Sequence, residues 1–277
     1  MGGAAAELSY EVRANNLSRA SENRIHDDEV ARRFGFTGAL VPGVEVYAYA
    51  CHPVVARWGQ DWLAQGAAEC RFLKPVYDGA PVRVTAEPEG GEGGLALRAE
   101  SGGVLCATGR AWMPADPPAV GMAAEHRPWG PPPPLPAERP AASEAALAPG
   151  TWLCTVPERI SAEALADYLQ GIAETDPLYA AEGLVHPGQI LRLCNRVLTH
   201  NLVLGPWIHV GSTVRNLSLA RAGETLAVCA RVLSNGDRKG HRIVELDALV
   251  VAVTDRQRRP VAHVLHTAIW RPRQAAG

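Results

Sequence analysis

No stretch of the sequence stays apolar for the roughly 20 residues that a membrane-spanning helix needs, which excludes a helical span. Residues 1–7 are short and lack a basic flank, so no secretory signal is legible and the expected compartment is the cytoplasm. There is no C-x-x-C pair. The six cysteines, at 51, 70, 106, 154, 194 and 229, lie scattered, mostly in apolar runs. That distribution predicts buried thiols in a reducing compartment rather than disulfides or zinc. Positive charge is not in excess either: 27 Lys and Arg stand against 29 Asp and Glu, for a net charge of −2. A nucleic-acid partner would want a basic face, so none is expected. Metal-ligand spacing, a glycine-rich phosphate loop, a serine elbow and a nucleotide fingerprint are all missing, and neither metal nor cofactor is expected.

What the sequence does hold is apolar residues, 47% of the 277, enough for one large core or two ordinary ones. Asn23 to Gly59 is the organising stretch. A polar loop with Asn23 and His26 leads into a short amphipathic helix, Asp28 to Phe34, with Asp27 and Asp28 as its N-terminal caps. Gly35, Gly38, Pro42 and Gly43 break the chain. A second helix follows from Val44 to about Trp58, apolar around much of its girth and therefore buried, with Gly59 as its stop. A buried helix that begins just after a Pro-Gly break offers free N–H groups to a ligand.

Strand-like runs come before and after: Leu8–Val12, then Ala67–Leu73, Val82–Glu87, Leu95–Glu100 and Val104–Met113. From Pro114 to Pro149 the composition changes, and Pro128–Pro140 reads as extended linker in preference to a signalling-type proline ligand. The expected division is an N-terminal domain over 1–120, a proline-rich linker over 121–148 and a C-terminal domain over 149–277. The second half then repeats the first. Pro42-Gly43 and Pro187-Gly188, Trp62 and Trp207, and Gly66 and Gly211 are each 145 residues apart. Glu174 to Tyr179 echoes Ser21 to His26, with Tyr179 in the histidine position. Ser161 caps a helix over Ala162–Gln170, an apolar helix runs from Gln189 to about Leu204, and four strands follow at Thr213–Leu219, Thr225–Leu233, Arg242–Val253 and Val261–Trp270. A turn is expected at Ser234–Asp237. A shared offset of this kind signals tandem duplication. The spacer before Pro187 is shorter than its counterpart, so the second half is expected to lack the short helix and the site that it roofs.

Ser21-Glu22-Asn23-Arg24-Ile25-His26, Gly35-Phe36-Thr37-Gly38 and Val41-Pro42-Gly43 together resemble the signature of the MaoC-like, (R)-specific enoyl-CoA hydratase family. Asn23, Ile25, His26 and Gly43 match it; Ser21 stands where the family has its catalytic Asp, and Arg24 where it has Pro. The resemblance implies an α+β double hot-dog, two antiparallel sheets each wrapped around a long helix, the halves pairing edge to edge as a dimer would. It implies a hydro-lyase that adds or removes water at an acyl thioester carried by CoA or an acyl carrier protein, with the site in the N-terminal half. His26 is then the acid/base, Asn23 orients water or the ring, and the Gly43 N–H is the oxyanion donor. Ser21 is too weak a base unaided, and Glu22, Asp27, Asp28 and Glu45 are candidate substitutes. Val41, Pro42, Tyr47, Tyr179 and Arg24 are the expected substrate contacts.

Other readings stay open. Glu45 suits a helix N-terminus as well as catalysis, and His26 suits a structural role as well as a chemical one. Arg24, Arg32 and Arg33 could meet a phosphate or simply be solvated. Glu174, Asp176 and Tyr179 read as remnants shaping a pocket, and His186 and His200 as structural. The alternatives to a hydro-lyase are a hot-dog protein that binds an acyl or polyketide-like ligand without turnover, and a thioesterase using Glu45. Assembly is expected as a pseudo-dimer within one chain, with further pairing of chains left open.

Overall fold

The structure, a computed structural model, describes residues 8–89, 93–116, 134–254 and 257–273. Strand β1 (Leu8–Arg13) opens the chain, followed by a single 3-10 turn at Arg24–His26 and helix α1 (Asp28–Arg33). Asp27 caps α1 through its side chain, accepting from the amides of Glu29 and Val30. Helix α2 runs from Gly43 to Gln65, then come β2 (Ala67–Phe72), β3 (Pro81–Pro88), β4 (Leu95–Ser101) and β5 (Val104–Trp112). The second half carries β6 (Trp152–Cys154), β7 (Glu158–Arg159), α3 (Ala162–Gly171), α4 (Pro177–Glu182) and α5 (Pro187–Asn201). It ends with β8 (Ile208–Asn216), β9 (Thr225–Arg238), β10 (His241–Val253) and β11 (Arg258–Arg271).

All the strands join one antiparallel sheet in the order β1-β3-β4-β5-β2-β8-β11-β10-β9-β6, with β7 alongside β9. Read outward from the middle, both halves give the same sequence of strands, which is the pseudo-twofold expected of a duplication. The seam is the pairing of β2 with β8, Ala67 opposite Arg215 through Arg71 opposite Gly211. It removes two edges that separate halves would expose. Each half curls around its long helix, α2 and α5 pack against each other, and the fold is a double hot-dog. Alternation explains the curl. Val82, Val84 and Ala86 on β3 are buried while Pro81, Arg83 and Glu87 face out.

Several expectations need correction. Gly59 does not stop α2: it takes φ 57° and ψ −143°, kinks the helix, and the chain resumes to Gln65 so that Trp62 is sealed in the core. Asn235-Gly236 is not a turn but lies within β9; the hairpin turns at Lys239-Gly240, both with positive φ. Cys154 and Cys229 are not thiols. They sit opposite each other on β6 and β9 and form a disulfide, while Cys51, Cys70, Cys106 and Cys194 are buried thiols outside any disulfide. The second half also keeps a short helix before its Pro-Gly break, α4, capped by Asp176. Of the Pro128–Pro140 stretch, residues 128–133 lie outside the described residues, and 134–140 form neither helix nor strand. No helix among the described residues is long and apolar enough to cross a membrane.

Candidate active site

The Val41–Val44 corner, where the chain enters α2, lies between two cavities. One, of about 530 Å³, takes Val41 and Gly43 together with Phe34, Phe36, Phe72 and His209, and has Lys74, His241 and Arg273 among its lining residues. The other, of about 300 Å³, takes Pro42 and Val44 with Ser21, Glu22, Asn23, His26 and Trp207, and is walled by Arg139 and by α5. Pro42 occupies the N-cap of α2 and supplies no side-chain acceptor, so the first amides of the helix are not capped from within. A methyl group on Gly43 would come within 2.8 Å of the Phe72 ring, so only glycine lets that ring lie against the helix start.

His26 faces the smaller cavity. Its Nδ1–H donates to the Leu40 carbonyl at 2.7 Å, which leaves Nε2 as an acceptor toward the cavity, where the Asn23 side-chain amide donates to it at 3.4 Å. Burial, and then the charge of Arg192, push its pKa down to about 4 against the pull of the Leu40 carbonyl, so the ring is neutral at pH 7. Asn23 holds the loop to the other half: its amide donates to the Trp207 carbonyl at 2.9 Å and its Oδ1 accepts from the Trp207 amide at 3.2 Å. Ser21 lines the same cavity, its hydroxyl turned toward the Asn23 carbonyl. Glu22 lies at the rim, ion-paired with Arg139, whose hydrogen bond holds the carboxyl below its usual range.

Glu45 lies elsewhere. It is fully buried at the α2–α5 contact and ion-paired with Arg192, and burial raises its pKa to about 7 although the guanidinium opposes this. Its Oε2 has no hydrogen-bond partner among the described residues. Arg192, not Glu45, reaches the cavity. Arg24 is exposed and paired with Asp27, and Arg32 and Arg33 pair with Asp28 and Glu29 along α1. Tyr47 and Tyr179 are buried, the Tyr179 hydroxyl without a hydrogen-bond partner among the described residues, and neither is a wall of the two cavities beside the α2 corner.

Sequence reasoning passed over a chain of buried polar groups behind the cavity. The Gly211 carbonyl can only accept, so His209 carries its proton on Nε2 and shares it with Ser212 Oγ at 2.9 Å. The Ser212 hydroxyl then donates to His266 Nδ1 at 3.0 Å, and His266 Nε2–H donates to Asn195 Oδ1 at 3.0 Å. Burial holds both imidazoles neutral, His266 at about 3. The donors all run one way and take up Asn195 Oδ1, which leaves its NH₂ as the donor that Asn195, a wall of the smaller cavity, can offer there. Apart from its histidines, this chain has no sequence signature, because it is assembled from β8, β11 and α5 only in the fold.

Structures of known proteins share the architecture along nearly the whole chain. A Mycobacterium tuberculosis protein with a double hot-dog fold, described as essential for bacterial survival during infection, superposes with a TM-score of 0.64 at 18% identity over 96% of each chain. A Chloroflexus aurantiacus MaoC domain protein described as a dehydratase gives 0.62 at 14% identity over 99% of this chain and 97% of that one. A Lactobacillus plantarum protein described as an oleoyl thioesterase gives 0.52 at 12% over 97% and 98%. No protein-family model matches the chain, and neither does any curated protein sequence. At these identities the likeness speaks for the fold.

Proposed function

We propose that the chain is a MaoC-like hydro-lyase that adds water to, or removes it from, an acyl thioester at the His26 cavity. The observation that carries this reading is the His26 ring itself: Nδ1–H fixed on the Leu40 carbonyl, Nε2 unprotonated with only the long Asn23 amide contact on it, beside the uncapped start of a buried helix. In the hydration direction Nε2 takes a proton from water as the oxygen adds to the β-carbon. The electron pair of the double bond moves into the thioester, whose oxygen becomes an enolate. The amides at the start of α2 and the dipole behind them stabilise that oxygen. The α-carbon then takes the proton back from Nε2, and the thioester is restored. The Leu40 carbonyl accepts from Nδ1–H throughout, which steadies the imidazolium formed in between.

A second reading rests on one observation. Among the described residues no carboxylate touches the His26 ring; its Nε2 neighbour is the Asn23 amide. A desolvated imidazole with a pKa near 4 is a weak base on its own, which suits a cavity that holds an acyl ligand without turnover. The thioesterase reading is less favoured, since Glu45 is sealed behind Arg192 and lines neither cavity beside the α2 corner. Incubation with crotonyl-CoA separates the three. Loss of enoyl absorbance without free thiol, abolished by His26→Ala, is the expected result. Release of thiol points to hydrolysis, and several enoyl thioesters left untouched leave only the binding role.

A further inference from the structure

Helix α5 is polar toward the His26 cavity in a regular way. Arg192, Asn195, Arg196, Thr199 and His200 follow one another at helical intervals of three and one, so they form a single stripe, and all of them line the cavity. Their counterparts 145 residues earlier on α2 are Tyr47, Ala50, Cys51, Val54 and Val55, an aromatic and apolar set packed into the core. The duplicated helix has thus acquired a cationic face only where it overlooks the other half's histidine.

The charges do not cancel within the cavity. Arg139 pairs with Glu22, Arg192 with Glu45 and Arg196 with Glu158. Of these carboxylates only Glu22 lines the cavity, and Glu45 is fully buried behind the arginine that it holds. Each guanidinium has five N–H donors and spends part of them on its glutamate. His200 and His26 both titrate low, by burial first and then through the nearby arginines, as expected in a positive field. The Asn195 amide adds a neutral donor, held in place by the His209–Ser212–His266 chain.

We propose that this cavity takes an acyl group ending in a second carboxylate, a short dicarboxylic mono-thioester gripped by Arg192, Arg196 and the Asn195 amide. The inference rests on the hydro-lyase reading for the placement of the thioester. Phosphates of CoA are separated from the reacting carbons by the whole pantetheine arm. An anion that meets arginines in the same 300 Å³ as His26 therefore belongs to the acyl group. Ser21 fits the same picture. An aspartate there would set a fixed negative charge against the incoming carboxylate, whereas a hydroxyl can donate to it.

The test is calorimetric titration with glutaryl-CoA and butyryl-CoA, both saturated and so unable to undergo hydration. The diacid thioester should bind at least about ten-fold tighter, the scale of one charge-assisted fork. Arg196→Gln should reduce that preference by about ten-fold, and Ser21→Asp should abolish it. Arg192→Lys keeps a cation against buried Glu45, so it reports on the lost fork rather than on folding, and should weaken the preference too. Equal affinity in the wild type, binding of neither thioester, or a preference that survives all three variants overturns the inference. Enoyl assays with crotonyl-CoA and glutaconyl-CoA keep the two claims apart. A glutaryl preference without hydration of either leaves the carboxylate cradle standing and removes the hydro-lyase; hydration of crotonyl-CoA without any preference does the reverse.

Discussion

The two halves enter their long helices in opposite ways. At α2 the N-cap is Pro42, no side chain satisfies the first amides, and cavities lie on both sides of the corner. At α5 the N-cap is His186, whose Nδ1 accepts from the Gly188 amide at 3.0 Å, and the Tyr168 hydroxyl is pressed against Gly188. The His26 position is taken by Tyr179, which is fully buried at 4.5 Å, centroid to centroid, from the His186 ring. Behind them Glu174 sits between His186 and His52, its second oxygen 3.4 Å from the first and its other 2.6 Å from the second. Burial works to raise the Glu174 carboxyl, but the His186 imidazole beside it and the hydrogen bond to His52 outweigh it and hold the group far below its usual range. One backbone plan thus serves as an open donor site in one copy and as packed core in the other. What differs is who occupies the first turn's N–H groups.

The widest gap between the halves should appear on removing the aromatic ring from each position. If the hydro-lyase reading holds, His26→Ala lowers the hydration rate on the order of 10²–10⁴ with little change in melting temperature. Tyr179→Ala should do the opposite, costing about 3–5 kcal/mol in denaturant unfolding as a buried aromatic is lost. Tyr179→Phe, which only deletes an unpaired hydroxyl, should leave the hydration rate where it was. A rate that falls with Tyr179→Phe would break the comparison. Acid should sharpen it next. His26, His186, His209 and His266 all titrate below 6.5 in the fold, burial being the first cause in each. Below pH 6.5 the unfolded chain therefore binds more protons than the native one, and stability falls as pH falls, by up to about 1.4 kcal/mol per pH unit for each such group. Glu45 has the opposite sign: raised to about 7, it favours the fold at low pH and loses that advantage as pH rises from 4.5 through 7. With His200, lowered by burial as well, five imidazoles against one carboxyl predict a melting temperature that drops between pH 7 and 5, and a flat profile there would be evidence against neutral buried histidines. A smaller effect belongs to the capping difference. His186→Ala should cost roughly 0.5–2 kcal/mol as the α5 cap is lost. Gly240→Ala, at the positive-φ β9–β10 turn and outside the lining of the His26 cavity, should cost only about 1 kcal/mol and leave binding in that cavity intact.

The Pro-Gly breaks, Trp62 and Trp207 sharing one offset, and alternation in the strand runs made both halves of the sheet and both long helices readable in the sequence; that the halves join into one continuous sheet was not readable from these features. These features are local or periodic. What escaped was set by tertiary contact. Asn235-Gly236 has turn chemistry, yet cross-strand pairing with Val244 and Ile243 keeps it in β9 and moves the reversal to Lys239-Gly240. Cys154 and Cys229 are 75 residues apart, and only the β6–β9 register brings them opposite each other. At the site His26 and Asn23 were legible through their spacing, while Glu45 looked available because its position shows a helix start but not the arginine across from it. The α5 stripe was overlooked for a different reason. The leucines of α5, with Ile190 and Val197, mark a buried face, and the polar face beside it emerges only when the residues are taken at intervals of three and four.

The seam between β2 and β8 has a consequence for how such a site can change over generations. In a symmetric dimer of single copies every substitution is made twice, so a residue that plugs one site plugs both. Once the copies share a chain and remain zipped at that seam, each codon is addressed once. Tyr168 can then close one helix start while the opposite one stays open, and α5 can turn arginines toward a neighbour that has no matching ones to repel them. Inheritance in one reading frame converts a twofold constraint into a division of labour.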